Sequence, residues 1–258
     1  MSGLIVTRDG AVVRLTLNRP EALNALDIET ARALLAACVD IRRDPSVRAV
    51  LLAGNGRAFC AGGDLAQMRS DPARVADALI AAMHEALTIL AQLDAPVVVA
   101  LHGAVSGAGA SLAAAADLAI AAEGTKFNLA YINIGTSSDL GSTWALPRLV
   151  GLRRALEIAL LADTFDAAHA LHIGFVNRVV PADRLGAEAE ALAQRLARGP
   201  TLALGRIRRL MRTSFERDLS GQLDAEHVAF LQSAATPDFA EGVAAFFDRR
   251  PPRFTGQP

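Results

Sequence analysis

The stretch VRAVLLAGNGRAFCAGGDL, Val47 to Leu65, takes an apolar run into a bare turn, with Gly62 and Gly63 side by side before Asp64. An apolar run bounded by glycine suits a strand buried on both faces, and a glycine pair at its exit lets another group approach the backbone closely. PVVVALHGAVSGAGASL, Pro96 to Leu112, repeats the arrangement: an apolar run, a glycine-rich loop and an alanine-rich helical segment. Two such passages in succession predict an α/β fold with largely parallel strands and place the chemistry in the loops at the strand ends.

Upstream, LIVTRDGAVVRLTLN alternates apolar and polar residues on both sides of Asp9-Gly10, a dipeptide suited to a tight hairpin turn. Asp27 then precedes IETARALLAACVDIRR, and its carboxylate suits the N-cap of a helix over Ile28 to Arg43. VADALIAAMHEALTILAQL reads as a helix, and LAIAA, Leu118 to Ala122, as a short strand. Beyond Pro181 the strand signal ends, and DRLGAEAEALAQRLARG, TLALGRIRRLMRTSF and the stretch from Leu219 to Phe247 read as successive helices. Gly199-Pro200 therefore divides an α/β body, residues 1–199, from a helical tail, residues 200–258. Apolar faces on a tail with no sheet to cover suit packing on another subunit.

Composition narrows the function classes. A net charge of −1 gives no electrostatic drive towards nucleic acid. Although 52% of the chain is hydrophobic, no uninterrupted apolar span reaches membrane-crossing length, so no membrane partner is expected. The N-terminus lacks a signal or transit pattern, which makes the cytoplasm the expected location. Cys38 and Cys60 form no CxxC pair and the five histidines are scattered, so no metal site is expected.

Neither glycine loop has the third glycine of a dinucleotide-binding fingerprint, and no phosphate-gripping GxxxxGK[ST] occurs. Two readings remain. The glycines either permit tight turns with close helix packing, or two loops each aim a backbone N–H at one carbonyl oxygen, forming an oxyanion hole. In the second case a helix starting near Ala108 turns its positive dipole end towards the developing charge.

NRPEALNAL (Asn18 to Leu26), RAFCAGGDL (Arg57 to Leu65), HGAVSGAGASL (His102 to Leu112) and WALPRLVGLRRALEIALL (Trp144 to Leu161) together resemble the enoyl-CoA hydratase/isomerase, or crotonase, family over almost the whole chain. The resemblance implies a crotonase-like spiral of ββα units with a C-terminal helical trimerisation region, assembled as a homotrimer or homohexamer. It implies an acyl-CoA thioester substrate, with coenzyme A part of the substrate and no separate cofactor. Carried over by position, the oxyanion donors are the amides of Gly63 and Ala108. The same resemblance makes Ala22, Leu26, Ala61, Asp64 and Leu65 pocket contributors, together with Ser111 and Tyr131.

In the resembling hydratases two glutamates add water across the double bond; here those positions fall at Ser111 and Tyr131, and neither carries a carboxylate. Asp139, in GTSSDLGSTW, stands where the resembling isomerases, including those of phenylacetate pathways, carry an acid/base carboxylate. A related dehalogenase branch uses an aspartate near this place as a nucleophile. Read from local sequence alone, Asp139 reads first as the cap of a helix starting near Gly141, and it is the family resemblance that turns the reading towards the substrate. Ile134, Leu140 and Trp144 are expected to form a dry wall that raises its pKa. Ser111 reads either as a substrate contact or as helix packing, and Tyr131 as either pocket wall or proton relay. His84 reads as a helix-surface residue and Cys60 as a buried small side chain. Arg19, Arg206 and Arg208 are the candidates for CoA phosphates. The expected activity is a shift of a β,γ double bond into α,β conjugation. The alternatives are an enoyl-CoA hydratase of broader specificity and, more distantly, dehalogenation or thioester hydrolysis. A catalytically silent acyl-CoA-binding subunit is the alternative from outside enzymology.

Overall fold

The Asp9-Gly10 turn joins β1 (Leu4–Asp9) to β2 (Val12–Leu17) as an antiparallel hairpin in which Asp9 faces Val12. The computed structural model describes residues 3–257, so residues 1, 2 and 258, at the ends of the two predicted segments, lie outside it. Asp27 accepts the N–H of Thr30 and opens α1 (Ile28–Arg43), a cap worth about 1 kcal/mol. There follow β3 (Ala49–Gly54), the short α2 (Leu65–Met68) and α3 (Pro72–Gln92). The second passage gives β4 (Val97–Leu101), β5 (Ala104–Ser106), α4 (Ala108–Ala115), β6 (Leu118–Ala122) and β7 (Lys126–Asn128). After a 3-10 turn over Ala130–Ile134 come α5 (Ser142–Val150), α6 (Leu152–Leu161), β8 (Phe165–Asp166), α7 (Ala167–His172), β9 (Arg178–Val180) and α8 (Leu185–Ala197). The chain closes with α9 (Thr201–Thr213), α10 (Leu219–Ala234) and α11 (Pro237–Phe247).

The main sheet runs β1-β2-β3-β4-β6-β9, parallel everywhere except in the first hairpin. Strand alternation feeds two cores. Val50, Leu52, Val97 and Val99 pack towards α1 and α3, while Ala49, Leu51, Val98 and Ile120 meet Leu185, Ala189 and Ala193 of α8. Burial on both faces is why these strands read as unbroken apolar runs. α3 is long and apolar enough to cross a bilayer, yet its Leu79, Met83, Ala86 and Ile89 are buried in the first core.

Three short strands, β5, β8 and β9, escaped the sequence reading. β5 lies inside the second glycine loop and pairs with β7, and β7 pairs with β8. β5 has three residues and β8 two, too short for alternation to show. The tail is tied to the body: Arg48 donates to Gly199 O, Thr201 Oγ1 and Phe254 O.

Candidate active site

The first glycine loop is fastened along both edges. On one side Phe59 N donates to His102 O at 2.8 Å, Cys60 N to Ala104 O at 3.2 Å, and Ser106 N to Cys60 O at 2.9 Å, so the two glycine loops form one unit. On the other, Ala61 N donates to Leu23 O, Leu26 N to Gly62 O and Asp64 N to Leu26 O, at 2.8–3.0 Å. These bonds consume every amide from Phe59 to Asp64 except those of Gly62 and Gly63, which have no partner among the described residues. The second loop enters α4 through Gly107, at φ 49°, a conformation that favours glycine. Ser111 N, bonded to Gly107 O at 3.0 Å, is the first amide in the α4 ladder, so Ala108, Gly109 and Ala110 precede it.

The loops touch where they are bare. A Cβ on Gly62 would stand 3.4 Å from Ser106 O and 3.8 Å from Ala108 N, and one on Gly107 would stand 3.7 Å from Gly62 Cα. The unpaired amides of Gly63 and Ala108 thus belong to adjoining strands of backbone. Gly109 serves the other reading of the glycines, since a Cβ there would lie 2.3 Å from Cys60 O. Packing and bare backbone both occur, at different residues.

Several sequence-predicted pocket residues act through their backbone or hold the loop. Leu26 is fully buried and meets the loop through its peptide bonds. Asp64 caps α2 with Oδ1 and takes Arg19 on Oδ2 at 2.8 Å, so both oxygens are engaged. Leu65 is half exposed at the start of α2, and Ala22 and Ala61 are partly buried beside the loop.

Asp139 does not cap a helix. The residue before α5 is Gly141, with no side-chain cap, and only the Asp139 carbonyl serves that turn, accepting from Ser142 N and Oγ. Its carboxylate instead accepts the hydroxyl of Tyr131 on Oδ1, and Tyr131 Oη lies 2.9 Å from Ser111 Oγ. The three residues singled out on different segments are therefore one hydrogen-bonded line, beginning one turn into the helix that presents Ala108. Burial holds the Asp139 carboxyl above its ordinary value, outweighing the Tyr131 hydrogen bond and the charge of His84. The dry wall differs from the expected one: Leu140 is fully buried, whereas Ile134 is 54% exposed and Trp144 36%.

A cavity of about 1000 Å³ opens beside this loop, lined by His84, Leu140, Gly141, Trp144, Arg206 and Val228 among others. Gly63 and Ala108 are not among its lining. His84, with Leu87, Thr88 and Ala91, forms a second stripe on α3, off the buried one. That i, i+3, i+4, i+7 spacing was the signal that could have moved His84 from a plain surface position to the chamber.

The arginine candidates separate. Arg208 is buried, pairs with Asp117 at 2.7 Å and donates to Leu90 O and Ala95 O; Arg19 is held by Asp27 and Asp64. Both are framework residues. Arg206 lines the cavity and reaches Ser233 Oγ at 3.2 Å. The Cys60 thiol is fully buried and pushed up to about 12 by that burial, so it is protonated at neutral pH and unsuited to nucleophilic attack.

Fold and loops together define a crotonase-type protein: the solved structure of enoyl-CoA hydratase from Mycobacterium smegmatis matches with a TM-score of 0.91 at 35% identity, covering 98% of this chain and 98% of that one. The chain belongs to the enoyl-CoA hydratase/isomerase family, whose model matches residues 7–257. It is 39% identical over 251 residues to the 1,2-epoxyphenylacetyl-CoA isomerase of Escherichia coli (strain K12), covering 95% of each. It is 37% identical over 243 residues to the "Probable enoyl-CoA hydratase" of Rhodobacter capsulatus, covering 94% of each.

Proposed function

We propose that this member of the family is an acyl-CoA isomerase that moves a β,γ double bond, or one derived from a ring, into conjugation with the thioester. The observation that carries this reading is the identity of the groups joined to Asp139. Ser111 and Tyr131, at the positions where the resembling hydratases carry glutamates, hold hydroxyls joined to Asp139 and no second acid/base carboxylate. Hydration needs one group to activate water and another to protonate the α-carbon; isomerisation needs one group acting twice.

In this scheme the thioester oxygen lies between the amides of Gly63 and Ala108. Asp139 takes the proton from the α-carbon, and the C–H electron pair moves into a dienolate whose charge rests on that oxygen. The protonated Asp139 returns the proton to the γ-carbon, and the double bond re-forms between α and β. Each oxyanion donor contributes about 3 kcal/mol to the barrier reduction, and no electrons leave the substrate, so no redox partner is required. The reading includes a cytoplasmic homotrimer or homohexamer built through the helices after residue 199, whose apolar faces are exposed.

A panel of β,γ-enoyl, α,β-enoyl and arylacetyl-derived CoA esters, followed by absorbance and mass, tests the proposal. Conjugation without change of mass is the expected result. Gain of a water by α,β-enoyl esters as the faster reaction would make the protein a hydratase, and binding of every ester with turnover of none would make it a silent acyl-CoA carrier.

A further inference from the structure

We propose that Tyr131, backed by Ser111, is the positioning residue for Asp139, pinning Oδ1 so that Oδ2 alone takes the substrate proton and gives it back. This rests on Asp139 being the base of the proposed reaction. Tyr131 Oη has one hydrogen and two side-chain neighbours, Asp139 Oδ1 and Ser111 Oγ; the Asp139 backbone N–H, which also acts on it, can only donate. A carboxylate is the stronger acceptor, so the phenol hydrogen belongs to Asp139. Burial and the Asp139 charge push the Tyr131 pKa well above its ordinary value, so it stays a donor throughout the working pH range.

With that hydrogen committed, the contact between Ser111 and Tyr131 needs the hydrogen of Ser111 Oγ, and its distance to Tyr131 Oη, 2.9 Å, is shorter than the alternative to Gly107 O, 3.3 Å. Ser111 is fully buried and Tyr131 is 7% exposed, so their contact is shielded from competing water, while Asp139 at the other end is partly exposed. Asp139 Oδ2, by contrast, accepts no hydrogen bond from any other described residue; the remaining contact of the carboxyl is with the Asp139 backbone N–H. One oxygen is anchored by a neighbouring side chain and the other is not. A carboxylate that could turn about its bond would present either oxygen at a varying angle; an anchored one keeps a single oxygen in place for both proton transfers. Because Ser111 stands one turn after Ala108 on α4, the same line fixes the base relative to one oxyanion donor.

The charged groups around Asp139 must be separated from this effect. From α3 the facing group is His84. From α9 to α10 the cavity wall carries Arg206, Arg209, Arg212, Glu216, Arg217 and Asp224, of which Arg209 is paired with Asp94 and Arg212 with Asp117.

The test is the pH profile of kcat for Tyr131→Phe on a β,γ-enoyl-CoA, repeated in a His84→Gln background so that the imidazole is not mistaken for the carboxylate. Phenylalanine keeps the ring and leaves Ser111 the Gly107 carbonyl as an acceptor. The acid limb is expected to move up by roughly one pH unit, because a donor to the ionised carboxylate has gone. Plateau kcat should fall by about tenfold, from lost orientation, with KM unchanged. Ser111→Ala should move the limb in the same direction by less, and serves in place of Tyr131→Phe should that variant fail to fold. An unmoved limb at wild-type plateau kcat, in whichever variant folds, overturns the inference. If that occurs while Asp139→Asn is inactive, the positioning role falls and the isomerase reading stands; if Asp139→Asn also retains wild-type turnover, the reading itself has fallen.

Discussion

Gly109 lies against the carbonyl of Cys60 so closely that a Cβ on it would stand 2.3 Å from that oxygen. The contact locks α4 to the loop carrying Gly63. Gly109→Ala should therefore destabilise by about 1–3 kcal/mol through overpacking and reduce turnover by displacing the loop. Gly186, in α8, has open space around it, and Gly186→Ala should instead stabilise by about 0.5–1 kcal/mol with activity unchanged. Denaturant titration of both variants checks the pair; equal stabilities would contradict the packing account.

Arg208 separates framework from substrate binding. Its guanidinium is buried against Asp117 and the carbonyls of Leu90 and Ala95. Arg208→Ala should cost about 3 kcal/mol of stability, the penalty of breaking a buried pair. The KM of the remaining folded enzyme for a CoA thioester should not change. A stable variant with a much raised KM would return Arg208 to the substrate.

The partly buried Asp139 carboxyl makes stability depend on pH in a definite direction. Asp139 titrates above its ordinary value in the folded protein. Its contribution to stability is therefore complete below the ordinary carboxylate range and is lost as pH rises through the raised value. Asp139→Asn removes that titration. Its melting temperature relative to wild type should rise as pH climbs above the ordinary carboxylate range, as calorimetry at several pH values can establish. A difference that shrinks over that climb would mean that the Tyr131 hydrogen bond, not burial, dominates.

The tail predicts assembly. Phe246 and Phe247 are 78% and 77% exposed, and Ile207, Met211 and Phe215 add a further exposed apolar stripe. Faces of this kind need a partner surface. Sedimentation should give a trimer or hexamer at micromolar concentration, and removal of residues 201–258 should give aggregation. A stable monomer would contradict the assignment of the tail to assembly.

Much of this molecule could be read from residue order. The Asp9-Gly10 hairpin and the helix capped by Asp27 follow local rules, and the double-sided burial of β3 and β4 is written in their apolar runs. The site was less legible because its decisive contacts join residues far apart in the chain. Asp139, two residues before Gly141, has the local look of a cap, and only the folded arrangement of Ser111 and Tyr131 shows its carboxylate engaged elsewhere. Arg208 looks like a solvated helix arginine until α9 lies on Asp117. The stripe of His84, Leu87, Thr88 and Ala91 was hidden by the stronger buried stripe on the same helix.

The most direct test of the account is kcat for Asp139→Asn on a β,γ-enoyl-CoA, measured beside thioester affinity and circular dichroism. Asparagine keeps the size of the side chain and can still accept from Tyr131 through its amide oxygen, but it cannot take up the α-proton. The account predicts a fall in kcat of about two to four orders of magnitude, the usual worth of a positioned acid/base, with affinity and fold retained. A folded Asp139→Asn protein that isomerises at the wild-type rate would contradict it.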